Sequence, residues 1–200
     1  MKRRVVITGM GAVTPVGNDV LSMWDAIKNG KNGIDFIQQF DASNLKVQVA
    51  GEVKDLDPSK YLEFNEYRKT DRVIMFGLVA ATQAYQDAKL ENVDLNHDRF
   101  GTFVTSGIGG LSTIISEGRK ADEKGGDRVS PFFIPNSIIN LVGGNIAIKF
   151  KAKGPALPIV TACSASTNTI GEAFRYIRDN YIDLAFAGGA EAAINELAIG

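Results

Sequence analysis

One cysteine, one histidine and one tryptophan in 200 residues leave few of the side chains that usually announce chemistry. A single thiol, Cys163, excludes an internal disulfide and fits a reducing compartment. One histidine and one cysteine cannot supply the usual ligand set of a zinc site, and no cofactor is expected. Neither sign of charge prevails. The 22 Lys and Arg against 23 Asp and Glu give a net charge of −1, so neither nucleic acid nor an anionic membrane is expected as partner. Long apolar runs are missing too. The run after MKRR stops at Gly9, too short for the core of a signal peptide or for a membrane span, and the expected location is the cytoplasm. Tandem repeats and low-complexity linkers are absent from the sequence.

What is present is an ordinary globular composition, 44% hydrophobic and 22% charged, with an unusual wealth of glycine. The 21 glycines cluster at 9/11/17, 107/109/110, 143/144 and 188/189, mostly just after apolar, β-branched runs. Strands are expected at residues 4–8, 47–53, 100–106, 159–161 and 184–187. Helices are expected from an Asn18 cap to about Lys28, briefly at residues 57–62, and at 71–90, 111–122, 138–150 and 167–178. The 71–90 segment is apolar nearly all round over its first half, as in a helix buried on more than one side. SPFFIPNS, with two prolines, reads as irregular. Strands alternating with helices, each strand closing in glycine, argue for an α/β sheet covered on both faces.

Residues 157–171, LPIVTACSASTNTIG, hold the most pointed chemistry. The apolar run 159–161 reads as a buried strand, and Ile170, Ala173, Phe174 and Ile177 have helical spacing. Cys163 is thereby placed at a strand-to-helix turn just ahead of a helix N-terminus. Unpaired N–H groups and the helix dipole favour a thiolate there and could hold an oxyanion. A lone cysteine is more often a small buried hydrophobe, so this placement has to decide the matter. A cysteine nucleophile also needs a base or electrophilic partner, and none with a recognisable context is present.

Other candidates stay open on the residues alone. His97 in ENVDLNHDRF reads as solvated. Arg68, Lys69 and Arg72 are either a solvated helix start or a docking patch for an acidic partner, with Lys60, Arg119 and Lys120 as extensions. Phe132, Phe133, Ile134 and Ile108 could be core or could line a pocket. TGMGAVTPVG follows a strand but lacks the third glycine and the downstream acid of a dinucleotide fingerprint.

Five motifs then point one way together. RVVITGMGAVTPVGN, SGIGG at 106–110, RVSPFFIPN at 128–136, TACSAS around Cys163 and GGAEAAI at 188–194 stand in the order seen in β-ketoacyl-acyl-carrier-protein synthases. The whole chain resembles in particular the fatty-acid elongation type, synthase II. The resemblance implies a thiolase-like α/β fold, layered, with mixed five-stranded sheets in two similar halves, and a homodimer. Residues 1–200 look like the N-terminal half, with the C-terminal half outside this chain. It implies an acyltransferase of fatty-acid biosynthesis, in which Cys163 takes the acyl group from acyl carrier protein. Malonyl-carrier protein then loses CO2 and condenses with that acyl group. By the same resemblance Ile108 and Phe133 line the acyl pocket, with Ile134 and Ile138 completing it across the dimer. Arg68 and Lys69 belong to the carrier-protein docking surface, and the 157–161 strand pairs with its mate at the dimer axis. The two histidines of the family's active site come from the second half, so this portion alone is expected not to condense. Ser166 stands where many members have glycine, and Asp127 where a basic residue or proline is common. A polyketide-type ketosynthase, a synthase I and a non-catalytic ketosynthase-like subunit share these motifs. Cys163 argues against the last, and the N-terminal motifs argue against a thiolase acting on CoA.

Overall fold

The computed structural model describes residues 3–200. In chain order its elements are α1 (Val20–Lys28), β1 (Asp35–Phe36), β2 (Val49–Ala50), α2 (Phe64–Tyr67), α3 (Arg72–Asp87), β3 (Phe100–Thr105), α4 (Leu111–Lys124), α5 (Phe133–Ser137), α6 (Leu141–Phe150), α7 (Ala165–Arg178), β4 (Leu184–Gly189) and α8 (Glu196–Ile199).

β3 is the centre. All six of its residues are buried, as in a strand covered on both faces. It pairs in parallel with β4, from Phe100 opposite Leu184 to Thr105 opposite Gly189. Alternate side chains face opposite ways. Phe100 and Val104 join Val142 and Ile146 of α6 and the apolar residues of α3 in the main core. Phe103 faces the other way, into a smaller cluster with Ala173 of α7 and Ile182. The order across the molecule is therefore α3, α6, the β3–β4 pair, then α7. The aromatic rings of Tyr85, Phe100, Phe150 and Phe186 knit the main core, with centroids 4.6–6.4 Å apart.

α3 behaves as its apolar pattern predicts. Val73, Ile74, Phe76, Leu78, Val79 and Ala81 are buried, and Asp71 caps the helix by accepting the Val73 N–H. Gln83 and Asp87 draw the N-terminal segment onto it. Gln83 accepts the Ala12 N–H and donates to the Asn18 carbonyl, while Asp87 accepts the Met10 N–H. The first glycine cluster exists for this contact. A Cβ on Gly9 would lie 2.7 Å from the Ala88 nitrogen, and one on Gly11 would lie 2.7 Å from the Ala80 carbonyl carbon. Backbone closeness to a helix, not a phosphate, explains TGMG.

Several expectations are corrected. Residues 4–8 join no ladder, and Ile7 is 79% exposed, because β-branched composition favours a strand while pairing needs a partner segment. Residues 157–161 touch β3 through a single bridge, with Leu157 donating to the Thr102 carbonyl at 3.0 Å, and then leave it. Pro158 has no N–H with which to continue a ladder, and Leu157 and Val160 are exposed rather than buried. Among the described residues the sheets are accordingly two-stranded, β1–β2 antiparallel and β3–β4 parallel, rather than five-stranded. The first helix takes Asp19, not Asn18, as its cap, in a capping box with Ser22. SPFFIPNS is partly helical, since Pro135 falls in the first turn of α5, where its missing N–H costs nothing.

Arg3 and Arg99 converge on Asp183, at 2.7 Å each. The hydrogen bonds from Arg99 and then Arg3 hold the Asp183 carboxyl down to about 2. A depressed carboxyl stabilises the fold above its unfolded value near 3.8 and loses that contribution as pH falls toward 2. Urea midpoints of the chain and of Asp183→Asn should therefore differ at pH 5 and above, and converge between pH 3.8 and about 2.

The glycine pair in α6 separates into two roles. A Cβ on Gly143 would sit 2.5 Å from the Val104 carbonyl oxygen, whereas one on Gly144 meets only Leu141 Cδ2 at 3.4 Å. Urea denaturation should show Gly143→Ala destabilised by about 1–3 kcal/mol. Gly144→Ala should be neutral, or stabilised by up to about 1 kcal/mol from helix propensity.

Candidate active site

Cys163 is exposed on the turn that delivers the chain into α7, two residues ahead of Ala165. Three side chains fix that turn. The Thr161 carbonyl accepts the Ser164 N–H at 3.2 Å and its hydroxyl at 2.8 Å. Thr161 Oγ1 accepts from Asn168 Nδ2 at 2.5 Å, one helical turn further on. Ala165 N–H closes on the Ala162 carbonyl at 3.0 Å. Ala162 itself has φ +52°, a left-handed conformation that costs an alanine of order 1 kcal/mol. The residue before the thiol is thus held in a strained, defined geometry, of the kind that clusters at functional sites.

The SGIGG loop lies against this turn. A Cβ on Gly107 would be 3.4 Å from the Ala162 carbonyl oxygen. Further along, Gly110 N–H donates to the Ser137 carbonyl at 3.0 Å, and a Cβ on Gly109 (φ +78°) would strike that same oxygen. The loop therefore bridges the cysteine turn to the end of α5. Ile108 sits in the middle of the bridge, and Phe133, Ile134 and Ile138 lie in or beside α5 at its far end. Ile108 (47%), Ile134 and Ile138 are exposed in this chain, and Phe133 is half-buried.

Arg68 and Lys69 are both exposed, follow α2, and make no ion pair among the described residues. Lys69 Nζ lies 5.4 Å from the Phe132 ring centroid, and its carbonyl accepts from Asn136 at 2.7 Å. Lys69 thus flanks α5, while the Arg68 guanidinium lies over the Phe64 ring of α2, 5.6 Å from its centroid. Arg72 does not belong with them. Its guanidinium stacks on Phe76 and donates to the Val53 carbonyl at 2.8 Å. Burial pushes it down from its ordinary value, against the pull of the Glu52 carboxylate. Arg119 is paired with Glu196 and Lys120 with Glu117, so neither extends an open basic patch. His97 is half-buried rather than solvated, with its Nδ1 buried and without a partner. It precedes β3, whereas Cys163 lies near the loop that follows it, and six strand residues separate the two by roughly 20 Å.

Sequence reasoning assigned no role to Thr161, Ser164 and Asn168, although all three stand in the TAC-x-x-x-x-N motif. It also missed Glu191, whose carboxylate accepts the Ser106 hydroxyl and the Gly107 N–H, each at 2.9 Å. The acid in GGAEAAI was the available signal.

Comparison with known proteins agrees with this geometry. The profile of the family described as beta-ketoacyl synthase, N-terminal domain, matches residues 2–200. The chain is 45% identical over 199 residues to 3-oxoacyl-acyl-carrier-protein synthase 2 of Coxiella burnetii, covering all of this chain and 48% of that protein. It is 43% identical over 196 residues to the protein of the same name from Synechocystis sp., covering 98% of this chain and 47% of that one. A crystal structure of a beta-ketoacyl synthase from Burkholderia phymatum superposes with a TM-score of 0.85 at 25% identity, covering all of this chain and 49% of that one. The chain spans about half the length of the curated relatives it matches. A thiol on a strained turn at a helix start, a glycine loop laid against it and a match along the whole chain agree: this chain belongs to the β-ketoacyl synthase family, as its N-terminal domain.

Proposed function

We propose that this chain supplies the acyl-accepting half of a 3-oxoacyl-acyl-carrier-protein synthase of fatty-acid biosynthesis, with Cys163 as nucleophile. The observation that carries the reading is the exposed thiol on a turn fixed by Thr161, Ser164 and Asn168 at the start of α7. Cys163 Sγ attacks the carbonyl carbon of an acyl thioester. The C–S bond to the carrier's thiol breaks, the carrier thiol leaves with a proton, and a new thioester forms on Cys163. The backbone N–H of Cys163 donates to the tetrahedral oxyanion, a role that the family resemblance of TACSAS supports. In the second half-reaction malonyl-carrier protein loses CO2, and the carbanion so formed attacks the thioester carbonyl. A C–C bond replaces the bond to sulfur, and the Cys163 thiolate is released. Decarboxylation draws on groups outside these residues, since His97 lies at the wrong end of β3.

The acyl chain runs over Ile108, Phe133, Ile134 and Ile138, and a second copy of the enzyme covers what one chain leaves open. The exposed segment 157–161 suits pairing with its mate in a homodimer. Arg68 and Lys69 meet the acidic carrier protein beside α5. The setting is the cytoplasm. No described helix is long and apolar enough to cross a membrane.

Two measurements test this. Incubated with octanoyl-carrier protein, the full-length synthase should gain one octanoyl mass on the peptide holding Cys163. Cys163→Ala should lose that adduct and lower condensation by at least about a thousand-fold. An adduct on another residue would end the assignment. Charge reversal at Arg68 and Lys69 together should raise KM for the carrier about tenfold with kcat little changed, and the effect should shrink at high salt. An unchanged KM would remove both residues from the docking surface.

A further inference from the structure

We propose that Glu191 is a positioning residue for acyl-chain selection: its carboxylate clamps the 106–110 loop and so fixes Ile108 beside the cysteine turn. The inference rests on the reading of Cys163 as the acyl acceptor.

The clamp begins where the two strands part. The β3–β4 ladder ends at Thr105 opposite Gly189, with a last bond from Ala190 N–H to the Thr105 carbonyl at 3.0 Å. One residue later Glu191 reaches back across the gap. Its Oε1 accepts the Ser106 hydroxyl proton and its Oε2 accepts the Gly107 N–H, each at 2.9 Å. Having given its proton to Glu191, Ser106 Oγ offers its lone pairs to the loop. It accepts the Gly109 N–H at 2.8 Å and the Ile108 N–H at 3.3 Å. One carboxylate therefore sets the orientation of three consecutive backbone N–H groups, one directly and two through Ser106.

The other end of the loop is held by the Ser137 carbonyl through Gly110. Between these anchors the backbone of Ile108 has little freedom, while its side chain remains half-exposed, one residue from the Gly107 that meets the Ala162 carbonyl of the cysteine turn. Loss of the carboxylate would leave the Gly107 N–H without its acceptor. The Ser106 hydroxyl would then be free to rotate and use its proton elsewhere, and Ile108 would lose its fixed position.

Glu191 is itself exposed. An exposed carboxylate adds little to global stability. Its removal should therefore appear in substrate selection more than in unfolding.

The test compares Cys163 acylation rates in the full-length synthase with butyryl-, octanoyl- and dodecanoyl-carrier protein, read by intact mass. Wild type is compared with Glu191→Ala, Ser106→Ala and Glu191→Gln. The two alanine variants should each flatten the chain-length profile, reducing the ratio of best to poorest substrate by about threefold or more, since differences of a methylene or two in an apolar site are worth factors of this order upward. Glu191→Gln should flatten the profile as the alanine variants do, because its amide oxygen can accept the Gly107 N–H but its amide nitrogen only donates, and Ser106 Oγ, already accepting from Ile108 and Gly109, has no lone pair left to receive it. The two alanine changes combined should flatten the profile no more than either alone, as groups of one network do. Uniform slowing of all three substrates, an unchanged profile, or misfolding of both alanine variants would each overturn the clamp while leaving the nucleophile intact. A wild-type thiol that takes no acyl group from any of the three would instead overturn the reading on which the clamp rests.

Discussion

Everything near the cysteine depends on β3 being buried along its whole length, with α6 on one face and α7 on the other. A strand covered on both sides cannot slip register without moving Phe103 out of one apolar cluster and Phe100 and Val104 out of the other. The register with β4 then fixes where both strands end. Thr105 and Gly189 stop side by side, and everything beyond them, the 106–110 loop and Glu191, emerges at one end of the pair. α7 crosses the far face of the same strands, and the turn that leads into it carries Cys163. The site is a consequence of where two parallel strands stop.

Close approach is the second requirement, and the glycines meet it. Gly143 lets α6 settle on the Val104 carbonyl, and Gly77 lets α3 meet Val142 of α6. Gly189 leaves room for the Ser166 side chain. Thr169 of α7 donates from its buried hydroxyl to the Ser166 and Gly188 carbonyls, so the helix is bonded as well as packed to the strand. With Cβ atoms at these points each layer would have to back away by a few tenths of an ångström or more. The thiol would then be displaced relative to the loop opposite it.

Local chemistry was the legible part of the sequence. The apolar pattern of α3, the β-branched run of β3 and the helical spacing after Cys163 each reported a face buried by its own neighbours, and each formed as expected. What could not be read was pairing. Residues 4–8 and 157–161 have strand composition, but a ladder is a property of two segments, and the single bridge at Ala156 ends where Pro158 withdraws its N–H. Charge misled in a similar way. Arg68, Lys69 and Arg72 look alike in sequence, yet an aromatic ring and a carbonyl draw Arg72 inward while the other two stay on the surface. Glu191 escaped notice because its partners, Ser106 and Gly107, lie more than eighty positions away.

The same geometry says where the remaining chemistry does not come from. The one histidine precedes β3 and hydrogen bonds by its backbone carbonyl to Lys153, at the end opposite the thiol. Under the proposed function an acid–base group serving Cys163 has to come from other elements than the one that carries His97. The cysteine turn itself is held by Thr161, Ser164 and Asn168 without help from any titratable side chain. Under that function the chain prepares the position of the thiol, and proton transfer falls to other groups. The two tasks can be divided because the first depends on backbone geometry, which these residues fix, and the second on side chains supplied elsewhere.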